Sequence, residues 1–281
     1  MPVFLNSYDE NGITFGTDSN DWIIANSGPA IVWAGAGHDN VQLGYCDDQV
    51  HLEAGDDIVT ALGGNNMIYG GDGHDSIYLG DGEDHVEGGY GNDFLQGGDG
   101  CDMLSGQWGD DIIFGGDGED ELYGSEGNDI ISGDDDIDFL SGGEGADILK
   151  GGDGDDRIIG GSSTYTVTYS DGTTCEVEGV NQIYGGAGDD LLTGLDGSNL
   201  FFYDSHDGND RISNFDADTD LIVLACGLNG TGIDELSDLT DRVSNTDAGA
   251  LIDLGNDNSI LLEGFEACTI QDNLSGYFDL A

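Results

Sequence analysis

Basic residues are almost missing from this chain. Across 281 residues, 4 Lys+Arg stand against 59 Asp+Glu, a formal net charge of −55. A surface of that sign repels phosphate backbones and anionic lipid headgroups, which excludes nucleic-acid binding and polybasic membrane docking. Proline occurs only twice. No run approaches the ~20 apolar residues that span a bilayer. Hydrophobic residues make up 37%, below the globular norm of about 45–50%, so a disordered chain is the first alternative to test. The five cysteines are odd in number and hold no C-x-x-C pair, which removes zinc and thioredoxin-like readings. They read as isolated small residues, with a Cys226–Cys268 bridge as the alternative. Residues 1–10 show neither a basic stretch nor a long apolar one, and are read as lacking a cleaved secretory signal. Neither H-E-x-x-H nor G-x-S-x-G occurs, and no EF-hand loop is present, so the expectation is a protein without catalytic activity.

What the chain does have is glycine, 51 residues of it, laid out with period nine. From Gly16 to Ile159 it divides into sixteen consecutive nonads without an insertion. The stretch Gly70-Gly71-Asp72-Gly73-His74-Asp75-Ser76-Ile77-Tyr78 shows the pattern most fully. The eighth position is aliphatic in all sixteen, and the sixth is Asp in fourteen, with Ala30 and Asn66 as exceptions. Acidic richness alone does not hold two columns in phase, so the disordered alternative fails once the carboxylates are neutralised. Position eight between outward positions seven and nine predicts a three-residue strand. Glycines at positions one, two and four predict a tight loop with positive φ. Such a loop can aim carbonyls at a cation while the short Asp adds a carboxylate, the all-oxygen set that calcium prefers.

The pattern G-G-x-G-x-D-x-U-x, where U is aliphatic, resembles the RTX or haemolysin-type calcium-binding repeat over roughly residues 16–213. The resemblance implies an all-β, right-handed parallel β-roll with two nonads per turn and Ca2+ held between loops eighteen residues apart. Full loops on both sides pair Asp39/Asp57, Asp57/Asp75, Asp75/Asp93, Asp84/Asp102, Asp93/Asp111, Asp102/Asp120, Asp111/Asp129 and Asp129/Asp147. Asp138 and Asp156 make weaker pairings, because residues 133–138 lose their glycines after the first, and Asp190 belongs to a later loop. About eight to ten ions are expected, with a chain largely unfolded until they bind. The nonads before Ala34 lack most loop glycines and read as a metal-poor start.

The expected organisation is an N-terminal cap over 1–15, the roll over 16–161, a hairpin insertion over 162–184, residual repeats over 185–213, and a β-rich cap over 214–281. The hairpin rests on two alternating runs, Thr164–Tyr169 and Thr174–Glu178, around Ser170-Asp171-Gly172-Thr173. The final region resembles the C-terminal signal of type I secretion substrates, which makes the secretion machinery a partner and the extracellular space of a bacterium the destination. An apolar column at position seven of alternate nonads, Ile58, Phe94, Ile112, Ile130 and Ile148, reads as a contact strip. Its occupant is expected to be the C-terminal segment, a second subunit or a cell-surface glycan. Together these readings give a secreted calcium-binding protein with a structural or adhesive role. The alternatives are a calcium-dependent polysaccharide-binding module, or the repeat tail of an exported hydrolase or toxin.

Overall fold

The computed structural model describes residues 4–5, 12–168, 174–204, 207–225, 233 and 235–280, with the backbone alone at 4–5, 164–168 and 174–178. The fold is an all-β parallel solenoid. It falls into two compact units, Met1–Asp135 and Asp136–Ala281.

In the first unit, strands alternate between two sheets, and each pairs with the strand eighteen residues on. Phe94–Asp99 runs parallel to Ile112–Asp117, with Leu95 opposite Ile113, and Ile112–Asp117 pairs in turn with Ile130–Asp135. The other sheet sets His85–Tyr90 against Met103–Trp108, with Val86 opposite Leu104. A one-residue slip would turn every aliphatic side chain outward, so the position-eight column fixes the register. Ile23, Val32, Val41, Val50, Val59, Ile68, Ile77, Leu95, Leu104, Ile113, Leu122 and Ile131 are all fully buried. They form a core one side chain deep per strand, zipped along the unit's length.

The second unit continues the same architecture with Phe139–Glu144 parallel to Arg157–Ser162, and Ile148–Asp153 parallel to Val180–Ala187. Thr164–Thr168 pairs antiparallel with Thr174–Glu178 as a separate two-stranded ribbon, so the alternating runs do form a hairpin. The unit closes with Asn258–Glu263 on Asn209–Ser213 and Phe278–Leu280 on Leu221–Leu224. Gly249–Gly255 folds back antiparallel on Asn258–Glu263. Its turn residues Asn256 and Asp257 have φ of 55° and 65°, as a two-residue primed turn requires. Two short helices, Ala267–Asp272 and Leu274–Tyr277, cover the end of this unit. The strand alternation of the tail gave no sign of them.

Within the first unit, Ile58, Ile112 and Ile130 of the position-seven strip are exposed. The tail strands pair with the last strands of their own unit, because open sheet edges demand hydrogen-bond partners. The Cys226–Cys268 bridge cannot be placed, since Cys226 lies outside the described residues, while Cys46 and Cys101 are free thiols.

Candidate functional site

Position six is where the repeat concentrates its chemistry. In the first unit one loop edge carries Asp21, Asp39, Asp57, Asp75, Asp93, Asp111 and Asp129, all buried. From Asp21 to Asp111 each backbone N–H donates to Oδ1 of the Asp eighteen residues on: Asp57 to Asp75 at 2.8 Å, Asp75 to Asp93 at 2.8 Å and Asp93 to Asp111 at 2.7 Å. The opposite edge runs from Ala30 through Asp48, Asn66, Asp84 and Asp102 to Asp120, with Asp84 N–H donating to Asp102 Oδ1 at 2.7 Å. In the second unit Asp138 donates to Asp156 Oδ1, Asp156 to Asp190 and Asp190 to Asp210, at 2.8, 2.7 and 2.9 Å. Asp147, also buried, donates to Asn181 Oδ1 at 3.0 Å.

One carboxylate oxygen is thus used by the ladder, and the other is left over. Oδ2 of Asp39, Asp48, Asp57, Asp75, Asp84, Asp93, Asp102, Asp111, Asp156, Asp190 and Asp210 is buried with no hydrogen-bond donor. A buried anionic oxygen with no partner costs several kcal/mol, so a repeated one marks a site for something positive. Position-one glycine makes the room. A β-carbon at Gly70 would meet Asp75 Oδ2 at 2.5 Å as well as Gly88 O of the next turn, and at Gly88 it would meet Asp93 Oδ2 at 2.5 Å and Gly106 O at 2.9 Å. Carboxylate and carbonyl oxygens therefore converge beside each of these glycines, where any side chain would collide with them. Among the described residues no three His, Cys, Asp or Glu side chains cluster as a metal site. A cation at these loops would draw most of its oxygens from backbone carbonyls, a donor set that fits hard Ca2+.

Burial dominates the electrostatics. It pushes the carboxyls of Asp57, Asp75, Asp84, Asp111 and Asp190 up to about 7. Those of Asp48, Asp93, Asp102 and Asp156 rise to about 6 from the same cause. The ladder N–H bonds pull the other way, and at most of these residues neighbouring carboxylates add to the rise. Without a counter-cation, these groups resist ionising at neutral pH.

Where the sequence departs from the pattern, the position-six side chain finds hydrogen-bond partners within the chain. Asp21 Oδ2 accepts from Thr17 N–H at 2.6 Å and Thr17 Oγ1 at 2.9 Å, so the glycine-poor start satisfies its own carboxylate. Asn66 Nδ2 donates to Gly64 O at 2.8 Å and to Asp84 Oδ1 at 2.9 Å, a neutral amide standing where a carboxylate would face an ion. Asp220 Oδ2 accepts from Asp216 N–H at 2.9 Å. Two residues with the Asp39-like arrangement escaped the pairing rule, Asp48 and Asp210. Cys46 stands at position four of the Asp48 loop, and Asp210 follows a two-residue slip, yet both are buried with Oδ2 unsatisfied. The Asp at position six of its own nonad was the signal for the first.

A second ladder, at position five, was not anticipated. His74 Nδ1 accepts from Asn92 N–H at 2.7 Å, Asn92 Oδ1 from Asp110 N–H at 3.2 Å and Asp110 Oδ1 from Asn128 N–H at 2.8 Å. Short acceptors at this position tie each loop to the next on the outer side.

Comparison with known families matches the RTX calcium-binding nonapeptide repeat (four copies) to residues 15–44, 51–86, 78–113, 87–122, 105–140, 132–167 and 177–212. No curated protein matches the chain.

Proposed function

Because the chain belongs to the RTX calcium-binding repeat family, matched over more than half its length, we propose that it is an extracellular calcium-binding protein whose folding is driven by the ions it takes up. The observation that carries this reading is the recurring buried Oδ2 without a donor, beside a glycine whose missing side chain leaves room for an ion. The loops of Asp39, Asp57, Asp75, Asp84, Asp93, Asp102, Asp111, Asp120, Asp129, Asp138, Asp147, Asp156 and Asp190 would hold Ca2+, with Asp48 and Asp210 as additions. The ion supplies the positive charge that lets these carboxylates stay ionised inside the fold, and each one ties two successive turns together. At about eight to ten ions, roughly +16 to +20 of charge offsets part of the −55.

The role is structural or adhesive, without catalytic activity. Extracellular calcium reaches the ~10⁻⁴–10⁻³ M range of such modules, whereas low cytosolic calcium would leave the chain open for export by a type I system. Titration of the full chain by isothermal calorimetry at pH 7.5 tests the reading: we expect about eight to ten ions bound cooperatively. A stoichiometry of one or two contradicts it.

A further inference from the structure

Beside the calcium loops of the first unit lies a different kind of site. On the outer face of one sheet, Trp33, His51 and Tyr69 form a stack of rings, with centroids 3.9 and 4.8 Å apart and planes within 10°. On the same face Tyr90 stacks on Trp108 at 4.3 Å and 13°. Both stacks stop at a carboxylate. The residue opposite Tyr69 on the next strand is Glu87, and the residue opposite Tyr90 on the preceding strand is Asp72. Tyr69 covers one face against His51 and turns the other toward the strand of Glu87. Tyr90 covers one face against Trp108 and turns the other back toward the strand of Asp72. Between them Gly71 and Gly89 floor a hollow of 220 Å³.

The polar groups around that hollow are set in place. Gln107 Nε2 donates to Glu87 Oε2 at 3.0 Å, and His85 Nε2 lies 3.6 Å from Glu87 Oε1. Gln107 also holds a φ of 76° at the repeat position that Gly71 and Gly89 fill with positive φ. A glutamine there pays a conformational cost that glycine does not, and it brings an amide to the rim.

We propose that this hollow binds one pyranose unit of a neutral glycan. Ring faces offer the apolar surface against which sugar C–H groups pack. Acceptors at Asp72 and Glu87, with the Gln107 amide oxygen, supply partners for the hydroxyl donors of a sugar ring. The volume suits a single hexose. Two carboxylates at the rim, on a chain of net charge −55, select against uronate or sulfated polymers. The site is separate from the position-seven strip, and it requires only that the repeats be folded.

The test uses the full chain in saturating calcium, with Trp22→Phe and Trp33→Phe introduced so that Trp108 is the one remaining tryptophan. Neutral gluco-, manno-, galacto- and N-acetylglucosamine pentaoses and an alginate pentaose are titrated while Trp108 emission is followed. The expected result is a saturable change with at least one neutral sugar and none with alginate. Tyr90→Ala should weaken the interaction at least tenfold. Gln107→Gly, which relaxes the backbone, should weaken it several-fold while leaving the calcium-loaded circular dichroism spectrum unchanged. No response to any neutral sugar at millimolar concentration, a response to alginate alone, or binding unaffected by both variants overturns the proposal. Because each titration starts from a chain whose spectrum shows it folded, a failure here is distinguishable from a failure of calcium-driven folding.

Discussion

Asp111 shows how one residue serves two purposes. Its Oδ1 accepts the Asp93 N–H at 2.7 Å, and its Oδ2 has no donor. Replacing it by Asn keeps a similar shape and the Oδ1 acceptor while removing the charge, much as Asn66, whose Oδ1 accepts the Asp48 N–H, does naturally at its own turn. Asp111→Asn should therefore lower the measured calcium count by about one or two, since the residue faces loops on either side, while the folded calcium form still assembles. Calorimetric stoichiometry checks this, and an unchanged count would remove Asp111 from the site. Gly106 gives a steric counterpart, because a β-carbon there would run into Asp111 Oδ2, whereas one at Gly28 meets nothing within 4 Å. Gly106→Ala should shift the calcium midpoint upward and Gly28→Ala should leave it in place. Equal behaviour of the two variants would show that the space beside the glycine does not matter.

At the scale of strand and loop, the nonad was almost fully legible. Period nine placed the strands, and the aliphatic column fixed which residues face inward, because a buried face tolerates no register slip. The glycines marked the positive-φ slots, although the structure also holds Glu53 at φ 76°, Ser125 at 84° and Asp134 at 81° in the second slot. These residues show that the backbone conformation belongs to the loop and not to glycine itself. The position-five ladder was hidden because its members, His74, Asn92 and Asp110, differ in residue type and share only a short acceptor atom. Asp48 was hidden because the loops eighteen residues to either side carry Ala30 and Asn66 in place of Asp, and its own loop has Cys46 in place of glycine. The terminal helices were illegible since no nine-residue repeat constrains them. Each inward aliphatic residue packs against neighbours 18 residues before and after, so Leu104→Ala should cost about 3–5 kcal/mol in the calcium-loaded state. Urea denaturation in calcium measures it, and a loss below 1 kcal/mol would mean the core is looser than its full burial indicates.

For the whole molecule, charge and pH act together. Carboxyls raised from 3.8 to about 6 or 7 bind protons more tightly in the folded, metal-free chain than in the unfolded one. Linkage then makes the metal-free fold lose stability as pH rises from about 4 through 7, and gain it as pH falls. With calcium the sign reverses, because protons compete with the ion for the same oxygens. Far-ultraviolet circular dichroism between pH 7.5 and 5, above the isoelectric point of about 4.1, should show more structure on acidification in chelator and a higher calcium midpoint on acidification in calcium. Parallel trends would refute the assignment of these carboxylates to the ion sites. The state of the metal-free chain at neutral pH decides whether calcium drives folding. The direct measurement is circular dichroism of the full chain at pH 7.5, first in chelator and then through a calcium titration. A largely unstructured spectrum that converts cooperatively to a β-sheet spectrum as calcium rises is the predicted result, and a chain already fully folded in chelator would contradict it.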